Sequence, residues 1–382
     1  MNAILVFFHC GSNTGYAIAP LERTFFQMSQ LLFDGDDSRI HFGYKDLSKG
    51  FPTTLPASFR NVTEFDPKDN EKGPLARIKH YIESNGIDLA FGFDQGVSQP
   101  SYRTLRRAGI KTFISYWGAP MSSVNSGWRL ALKRLEVRLS RSGPDHYIFE
   151  SQAMAFTATN GRGIPPRAVE VVHLGVDCDR YRPSDEFTYY AHNAFGIPTT
   201  RRIIVFSGHM EERKGVHVLV KAAVQLCRNG RSDFHLLVLG NQAGQEKAFA
   251  DLYRGTAAEK HITFGGYRSD IPQIFASCYF GALASTGWDS FTMSSVEMAA
   301  SGLPLVVSRL QGLAETVEDG ETGFLVAPGD VDDLCARIEL LLDDHDMRAA
   351  MGTAARRRAL EQFTRDRQVA SLLETVRRVA RR

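Results

Sequence analysis

The chain has 382 residues, 43% hydrophobic and 23% charged, with 45 basic and 43 acidic side chains for a formal net charge of +2. That is an ordinary globular balance, long enough for two cored domains, and it excludes a disordered, collagen-like or disulfide-framework chain. No apolar run approaches the ~20 residues that cross a bilayer, and nothing in the chain has the signature of a nucleic-acid-binding module.

Five cysteines, Cys10, Cys178, Cys227, Cys278 and Cys335, stand singly, with no Cys-x-x-Cys pair. Together with the absence of clustered His, this argues for a reducing compartment and against a structural zinc. The opening apolar run, 3–8, is too short for a secretory signal and lacks its basic flank. The expected location is cytoplasmic, peripheral at the inner face of a membrane if a basic segment described below engages one.

Residues 3–8 (AILVFF) read as a strand, followed by the loop His9-Cys-Gly-Ser-Asn-Thr-Gly15 and a helical pattern over 19–32. Strand, glycine loop and helix form the phosphate-cradle unit of doubly wound folds, which makes Thr14 and Gly15 candidate ligand-loop residues. A plain turn is the alternative. Further buried strands are expected at 87–93, 110–116, 146–149 and 169–173. Strands alternating with helices imply a parallel sheet covered on both faces.

Between these strands, 128–141 (WRLALKRLEVRLSR) places Trp128, Leu132, Leu135 and Leu139 at helical spacing. Segment 103–141 carries nine basic residues against the single acidic Glu136. Two readings stand here: a solvated helix face packed on the sheet, or a patch for anionic lipid headgroups or an anionic acceptor.

The second half restarts with a strand at 202–206, a loop at 207–215 containing His209 and Lys214, and a helix to 227. Strands follow at 234–239, at 261–264 before Gly265-Gly266-Tyr267, and at 279–284. The last feeds 285–303, STGWDSFTMSSVEMAASGL, around which the chain is organised. Asp289 and Glu297 stand eight positions apart, near one side of a helix expected to begin around Phe291. The free N–H groups of that helix N-terminus would hold phosphate between the two carboxylates. A nucleotide-sugar has that layout: sugar, two phosphates, ribose. The plain alternative is an amphipathic helix with a solvated Glu. A strand at 305–308, helices at 334–342 and 347–363, and an Arg-rich helical tail at 364–382 complete the chain.

Stretch 285–303 resembles the donor-binding motif of family-4 retaining glycosyltransferases, the glycosyl transferases of group 1. Ser285, Phe291, Glu297, Met298, Ala299, Gly302 and Pro304 fall in register with it. Asp289 stands where that motif has its first Glu, and Ser290 and Thr292 stand in place of two Gly. Segment 171–183 is similar to the family's interdomain connector through Gly175, Val176, Asp177, Tyr181 and Pro183. Its Asp177-Cys-Asp179 is therefore not read as a metal site. Loop 207–215 resembles the family's phosphate loop through Lys214 and Gly215, with His209 at the position of an Arg and Arg213 alongside.

The resemblance implies an α/β GT-B fold, two Rossmann-like domains facing across a cleft. It divides the chain into an acceptor-side domain at 1–180, a donor domain at 181–365, and a C-terminal helix at 366–382 packing back on the first domain. It implies retaining transfer of a hexosyl-type group from a nucleotide-diphosphate sugar, without a metal or other cofactor, to a hydroxyl of a carbohydrate or lipid-linked acceptor. In these roles Lys214, His209 and the helix N-terminus at Ser290, Phe291, Thr292 and Met293 face the diphosphate. Glu297 faces the ribose and Asp289 the donor sugar, while the glycine region Gly265-Gly266-Tyr267 lets backbone atoms approach the base, with Tyr267 among the donor-binding residues. The His that relatives often carry near the sugar is absent from 115–119 (SYWGA), which leaves Tyr116 as its replacement. A non-catalytic GT-B binding subunit and a nucleotide-sugar epimerase are the competing readings.

Overall fold

The computed structural model describes residues 1–15 and 18–381. The chain divides into two compact units, one comprising residues 1–173 with 366–382 and the other 174–365. The sequence places the division near 180. In the structure 174–180 goes with the second unit because Val176 pairs with Thr364, and its N–H donates to the Phe363 carbonyl.

The first unit is built on β1 (Ile4–Phe7), β2 (Ile40–Tyr44), β3 (Val62–Glu64), β4 (Leu89–Phe93), β5 (Thr112–Trp117), β6 (His146–Phe149) and β7 (Val169–Val171). They form one parallel sheet in the order β3-β2-β1-β4-β5-β6-β7. Strands β2 and β3 are absent from the sequence-based expectation. Ile40–Tyr44 (IHFGY) mixes a His and a Gly into its run, and Val62–Glu64 is only a three-residue edge. The central strands read as near-continuous apolar runs because helices cover both faces. Every residue of β1, β2 and β4 is buried. Phe7 packs against Phe65 and Phe113 on one face, and Phe8 against Phe25, Tyr44 and Phe93 on the other. Each such side chain contributes roughly 1.5–3 kcal/mol on burial.

The C-terminal helix Arg365–Ala380 lies on this unit: Gln368 donates to the Tyr116 hydroxyl at 3.1 Å, and Arg378 pairs with Glu170. Arg382, the last residue of the expected tail, is outside the described residues.

The second unit carries β8 (Arg202–Ser207), β9 (Phe234–Leu239), β10 (Ile262–Gly266), β11 (Phe280–Leu283), β12 (Leu305–Ser308) and β13 (Gly323–Val326). They too form one parallel sheet, in the order β10-β9-β8-β11-β12-β13. In each sheet the winding reverses once, between β1 and β4 and between β8 and β11. Open parallel sheets bind ligands outside the carboxyl ends of the strands at such a reversal. Among the described residues no helix is long and apolar enough to cross a membrane, and the five cysteines are free thiols.

Two buried imidazoles make the fold acid-sensitive. His41 on β2 lies 2.9 Å from the Tyr81 hydroxyl, and burial holds it down at about 4. His235 on β9 lies 2.8 Å from the Thr263 hydroxyl, and burial, helped by Arg201 and two neighbouring His, holds it at about 3. Both fall below the ordinary 6.5 of a His in an unfolded chain. The unfolded state therefore binds more protons between those values, and stability present above about pH 6.5 is lost as pH falls toward about 4. Urea midpoints should begin to drop near pH 6, above the range where carboxylates titrate. Midpoints that stay level down to about pH 5 would show that these imidazoles do not govern acid stability.

Candidate active site

Loop 208–215 leaves the carboxyl end of β8, and loop 284–292 leaves that of β11, its neighbour at the reversal of the second sheet. The two loops are sewn together along their backbones. The N–H groups of Thr286 and Gly287 both donate to the Arg213 carbonyl, at 2.8 and 3.2 Å. Gly215 makes the approach feasible: its φ is +69°, and a Cβ there would sit 1.7 Å from the Ala284 carbonyl oxygen. No side chain fits that space.

This closeness brings two predicted site residues into contact. Lys214 Nζ donates to Asp289 Oδ1 at 2.7 Å, and both side chains are largely buried, at 13% and 5% exposure. Ser285 donates its hydroxyl to the other carboxylate oxygen at 2.7 Å, and the Asp289 N–H is received by the Gln311 side chain at 3.1 Å. A hydrogen-bonded buried charge pair of this kind is rigid, and removing either partner leaves an uncompensated charge. Arg213 lies 3.8 Å from Asp289, but its guanidinium is engaged elsewhere. It pairs with Glu211 at 2.6 Å, donates to the Trp288 carbonyl at 3.0 Å and stacks 3.9 Å from the Trp288 ring. It thus braces loop 284–292. Trp288, 41% exposed, escaped the sequence reading.

The helix of the motif runs Met293–Ala300, two residues later than expected. Thr292 is its cap residue in extended conformation, and the Thr292 hydroxyl turns back to the Ser290 carbonyl at 3.2 Å. Glu297 is therefore one turn into the helix rather than two, and it is buried. Phe291 is also buried, its ring edge-on to Phe363 at 5.1 Å, so its side chain serves the core. Ser290 is buried beside it, while Thr292 and Met293 at the helix start are half-exposed. The first N–H groups of an eight-residue helix have no intrahelical acceptor, and their partial positive charge favours an anion.

His209 and Tyr267 lie to one side of this set. The Tyr267 hydroxyl is 3.3 Å from His209 Nδ1. They line a cavity of about 260 Å³ with Met210, Glu211, Gly240 and Gln245, at the carboxyl ends of β8, β9 and β10. Among the described residues no three His, Cys, Asp or Glu side chains are grouped to hold a metal ion.

The remaining predicted residues belong to the first unit. Thr14 donates its hydroxyl to the Gly11 carbonyl at 2.7 Å, and Gly15 has a φ of +68° beside an open space. Tyr116, expected on the acceptor side, is fully buried among Phe25, Phe91 and Phe93, with its hydroxyl capped by Gln368. Burial and the nearby Glu150 push its phenol well above the ordinary value, so it stays neutral. It offers no open face to a sugar.

What the reversal of this first sheet does present is His9, after β1, and Asp94, after β4. The His9 ring stacks on Phe93 at 5.7 Å, with Nδ1 3.3 Å from the Phe93 carbonyl. Asp94 has a φ of +52° and accepts from the Gly118 N–H at 3.0 Å. Burial pushes its carboxyl up to about 6, while that N–H and His9 pull it down. A non-Gly residue in the left-handed region at a strand end makes Asp94 a candidate functional position. The polar residues that directly follow the apolar runs of β1 and β4 were the sequence signal for both.

Residues 191–358 match the family described as glycosyl transferases group 1. The chain carries a group 1 glycosyltransferase domain. The match spans all six strands of the second sheet and both loops of the site. Among similar proteins, a D-inositol 3-phosphate glycosyltransferase of Corynebacterium kroppenstedtii is 30% identical over 225 residues, covering 56% of this chain and 47% of the relative. That of Corynebacterium aurimucosum is 31% identical over 197 residues, covering 50% and 47%. The chain thus aligns with about half the length of these relatives. Among solved structures, Anabaena HepE in complex with UDP matches with a TM-score of 0.79 at 20% identity, over 98% of this chain and 99% of that one. A glycosyltransferase from Rickettsia africae matches with a TM-score of 0.81 at 17% identity, over 100% and 99%. At these identities the likeness is one of fold, and that fold is GT-B. The group 1 domain accounts for the second unit. Residues 1–173, which hold Thr14, Gly15, Tyr116, His9 and Asp94, lie outside its match.

Proposed function

We propose that the protein is a retaining glycosyltransferase that moves a hexosyl-type group from a nucleotide-diphosphate sugar to an acceptor hydroxyl in the synthesis of a glycan, glycolipid or polysaccharide. The observation that carries this reading is the buried Lys214–Asp289 pair at the carboxyl ends of β8 and β11, just ahead of the helix that bears Glu297. In that reaction negative charge grows on the departing diphosphate. Lys214 and the N-terminus of Met293–Ala300 meet it with charge and dipoles already in place, so a divalent metal is not required. Asp289, held by Lys214 and Ser285, orients the hydroxyls of the donor sugar, and Glu297 takes those of the ribose. The cavity beside His209 and Tyr267 receives the base. Support for a uridine donor comes from HepE, solved with UDP and with UDP-glucose. The relatives named as inositol phosphate glycosyltransferases support a hydroxyl acceptor that carries negative charge. Work at the inner, cytoplasmic face of a membrane, with the basic segment 103–141 toward anionic lipid, belongs to the same proposal.

A donor-binding subunit without catalysis is the second reading. It is favoured by the direct bond between Lys214 and Asp289, which engages both groups with each other. Release of free nucleotide from a panel of UDP-, GDP- and ADP-sugars, with and without a chelator, decides between them. We expect release from one class of donor, undiminished by the chelator. Binding without release would establish the subunit. Loss of release on chelation, restored by manganese or magnesium, would overturn the metal-free chemistry.

A further inference from the structure

The helix Gly127–Leu139 in the first unit has no buried residue along its thirteen positions. Its large apolar side chains are exposed: Trp128 at 70%, Leu132 at 55%, Leu135 at 50% and Leu139 at 70%. At about 100° per residue these four fall within an arc of about 60°, a continuous stripe. The sequence reading that packed this stripe on the sheet is therefore overturned: the stripe faces outward. The reason lies in how the helix is fastened. Gly161 and Gly163, in and after the π-helical turn Thr157–Arg162, let that turn come against the helix and the chain before it. A Cβ on Gly163 would stand 2.7 Å from the Arg134 nitrogen, and one on Gly161 2.7 Å from the Ser123 carbonyl oxygen. Val137, on the side opposite the stripe, packs on the cluster of Val97, Tyr147, Phe149 and Met154. Arg162 grips Glu136 with two bonds, at 2.7 and 3.1 Å.

That ion pair matters for the charge of the outward face. Glu136 is the only acidic residue in 103–141, and Arg162 together with Lys133, 3.3 Å away, cancels it. What remains is an apolar stripe with Arg129 on one flank and Arg138 on the other, and Arg134 further round. Leaving four large apolar side chains in water is unfavourable, and an exposed stripe of this kind marks an interaction surface.

We propose that Gly127–Leu139 lies in the interface of an anionic lipid bilayer, with Trp128, Leu132, Leu135 and Leu139 among the acyl chains and the arginines at the headgroups. The inference rests on, and sharpens, the reading of 103–141 as a segment facing anionic lipid: it names the inserting helix and makes insertion, rather than charge alone, the source of affinity. The pattern is that of an interfacial helix, apolar on one side and Lys/Arg-rich at its borders, with long cationic stems reaching up to the phosphates. A second copy of the chain is a poor occupant, since apposing two such faces would set their arginines against each other. An anionic bilayer matches both the apolar area and the charge.

The test is cosedimentation of the full chain with phosphatidylcholine vesicles, with and without phosphatidylglycerol. Three proteins are compared: the parent, a stripe variant (Trp128, Leu132, Leu135 and Leu139 each →Gln) and a flank variant (Arg129, Arg134 and Arg138 each →Gln). None of the substituted side chains is buried, so circular dichroism should be unchanged. The parent should bind only the phosphatidylglycerol vesicles, and the stripe variant should bind them at least about tenfold more weakly. Should the stripe variant bind like the parent while the flank variant does not, insertion is wrong and only the surface-charge reading survives. Absence of parent binding overturns both. Equal binding to neutral vesicles overturns the anionic requirement, and a parent dimer that the stripe variant dissolves, without vesicle binding, assigns the face to self-association instead.

Discussion

Lys214→Met should abolish most sugar transfer and also destabilise the fold. Loss of one preorganised donor to a charge that develops in the transition state costs about 2–4 kcal/mol, roughly 30- to 1000-fold in turnover. The same change strands Asp289, whose side chain is 5% exposed, without its principal cation. Breaking a buried pair from one side costs about 3–5 kcal/mol. Here Ser285 at 2.7 Å and Arg213 at 3.8 Å retain part of the compensation, so the lower end of that range is expected. The double variant Lys214→Met, Asp289→Leu separates the two effects. With both charges gone and comparable volume restored, urea stability should return close to the parent while transfer stays lost. If transfer returned together with stability, the pair would be a structural staple and neither residue would touch the donor.

How much of this could be read from the sequence depends on the range of the forces involved. Apolar runs of four to six residues ending in polar loops revealed β1, β4, β5, β6 and the strands of the second sheet other than β13, because buried parallel strands carry their burial in their own composition. Strand β3 could not be seen this way: two half-exposed residues and an exposed Glu64 are held by pairing with β2. Lys214 and Asp289 were legible as separate candidates, through spacing and resemblance. That they bond to each other was not, since their contact depends on β8 and β11 being neighbours, which only the strand order decides. The same gap hid His9 and Asp94. Their strands, β1 and β4, meet at the reversal of the first sheet, though eighty-odd residues separate them in sequence. Tyr116 shows the converse. A strand-end aromatic looks available in sequence, but the C-terminal helix, 252 residues away, covers it through Gln368. The stripe of Gly127–Leu139 was legible as a period and misread as to direction. Helical spacing fixes which side chains share a face, whereas the contact that orients the face is made by Gly161, Arg162 and Gly163, which follow the helix at a distance.

Gly215→Ala should be as damaging as any substitution at the charged residues, though it changes no charge. Two penalties coincide at this position. An L-residue at a φ of +69° carries backbone strain of about 1 kcal/mol or more. The larger one is steric: the added Cβ would fall 1.7 Å from the Ala284 carbonyl oxygen, 2.5 Å from its carbon and 3.2 Å from the Ser285 nitrogen. All three are backbone atoms at the end of β11, so relief requires loops 208–215 and 284–292 to part by more than an ångström. Parting them stretches the hydrogen bonds from Thr286 and Gly287 to the Arg213 carbonyl and separates Lys214 from Asp289. A misplacement of that size at a reacting centre costs on the order of a hundredfold in rate. The control is Gly244→Ala, also left-handed at a φ of +93° but with nothing within 4 Å of the added carbon. It should show the strain penalty alone, a small fall in urea midpoint with donor binding intact. Gly215→Ala should instead weaken donor binding, read by calorimetry, and remove most nucleotide release. Equal behaviour of the two variants would mean that the loops give way freely, and the rigid juxtaposition on which the proposed site depends would have to be abandoned.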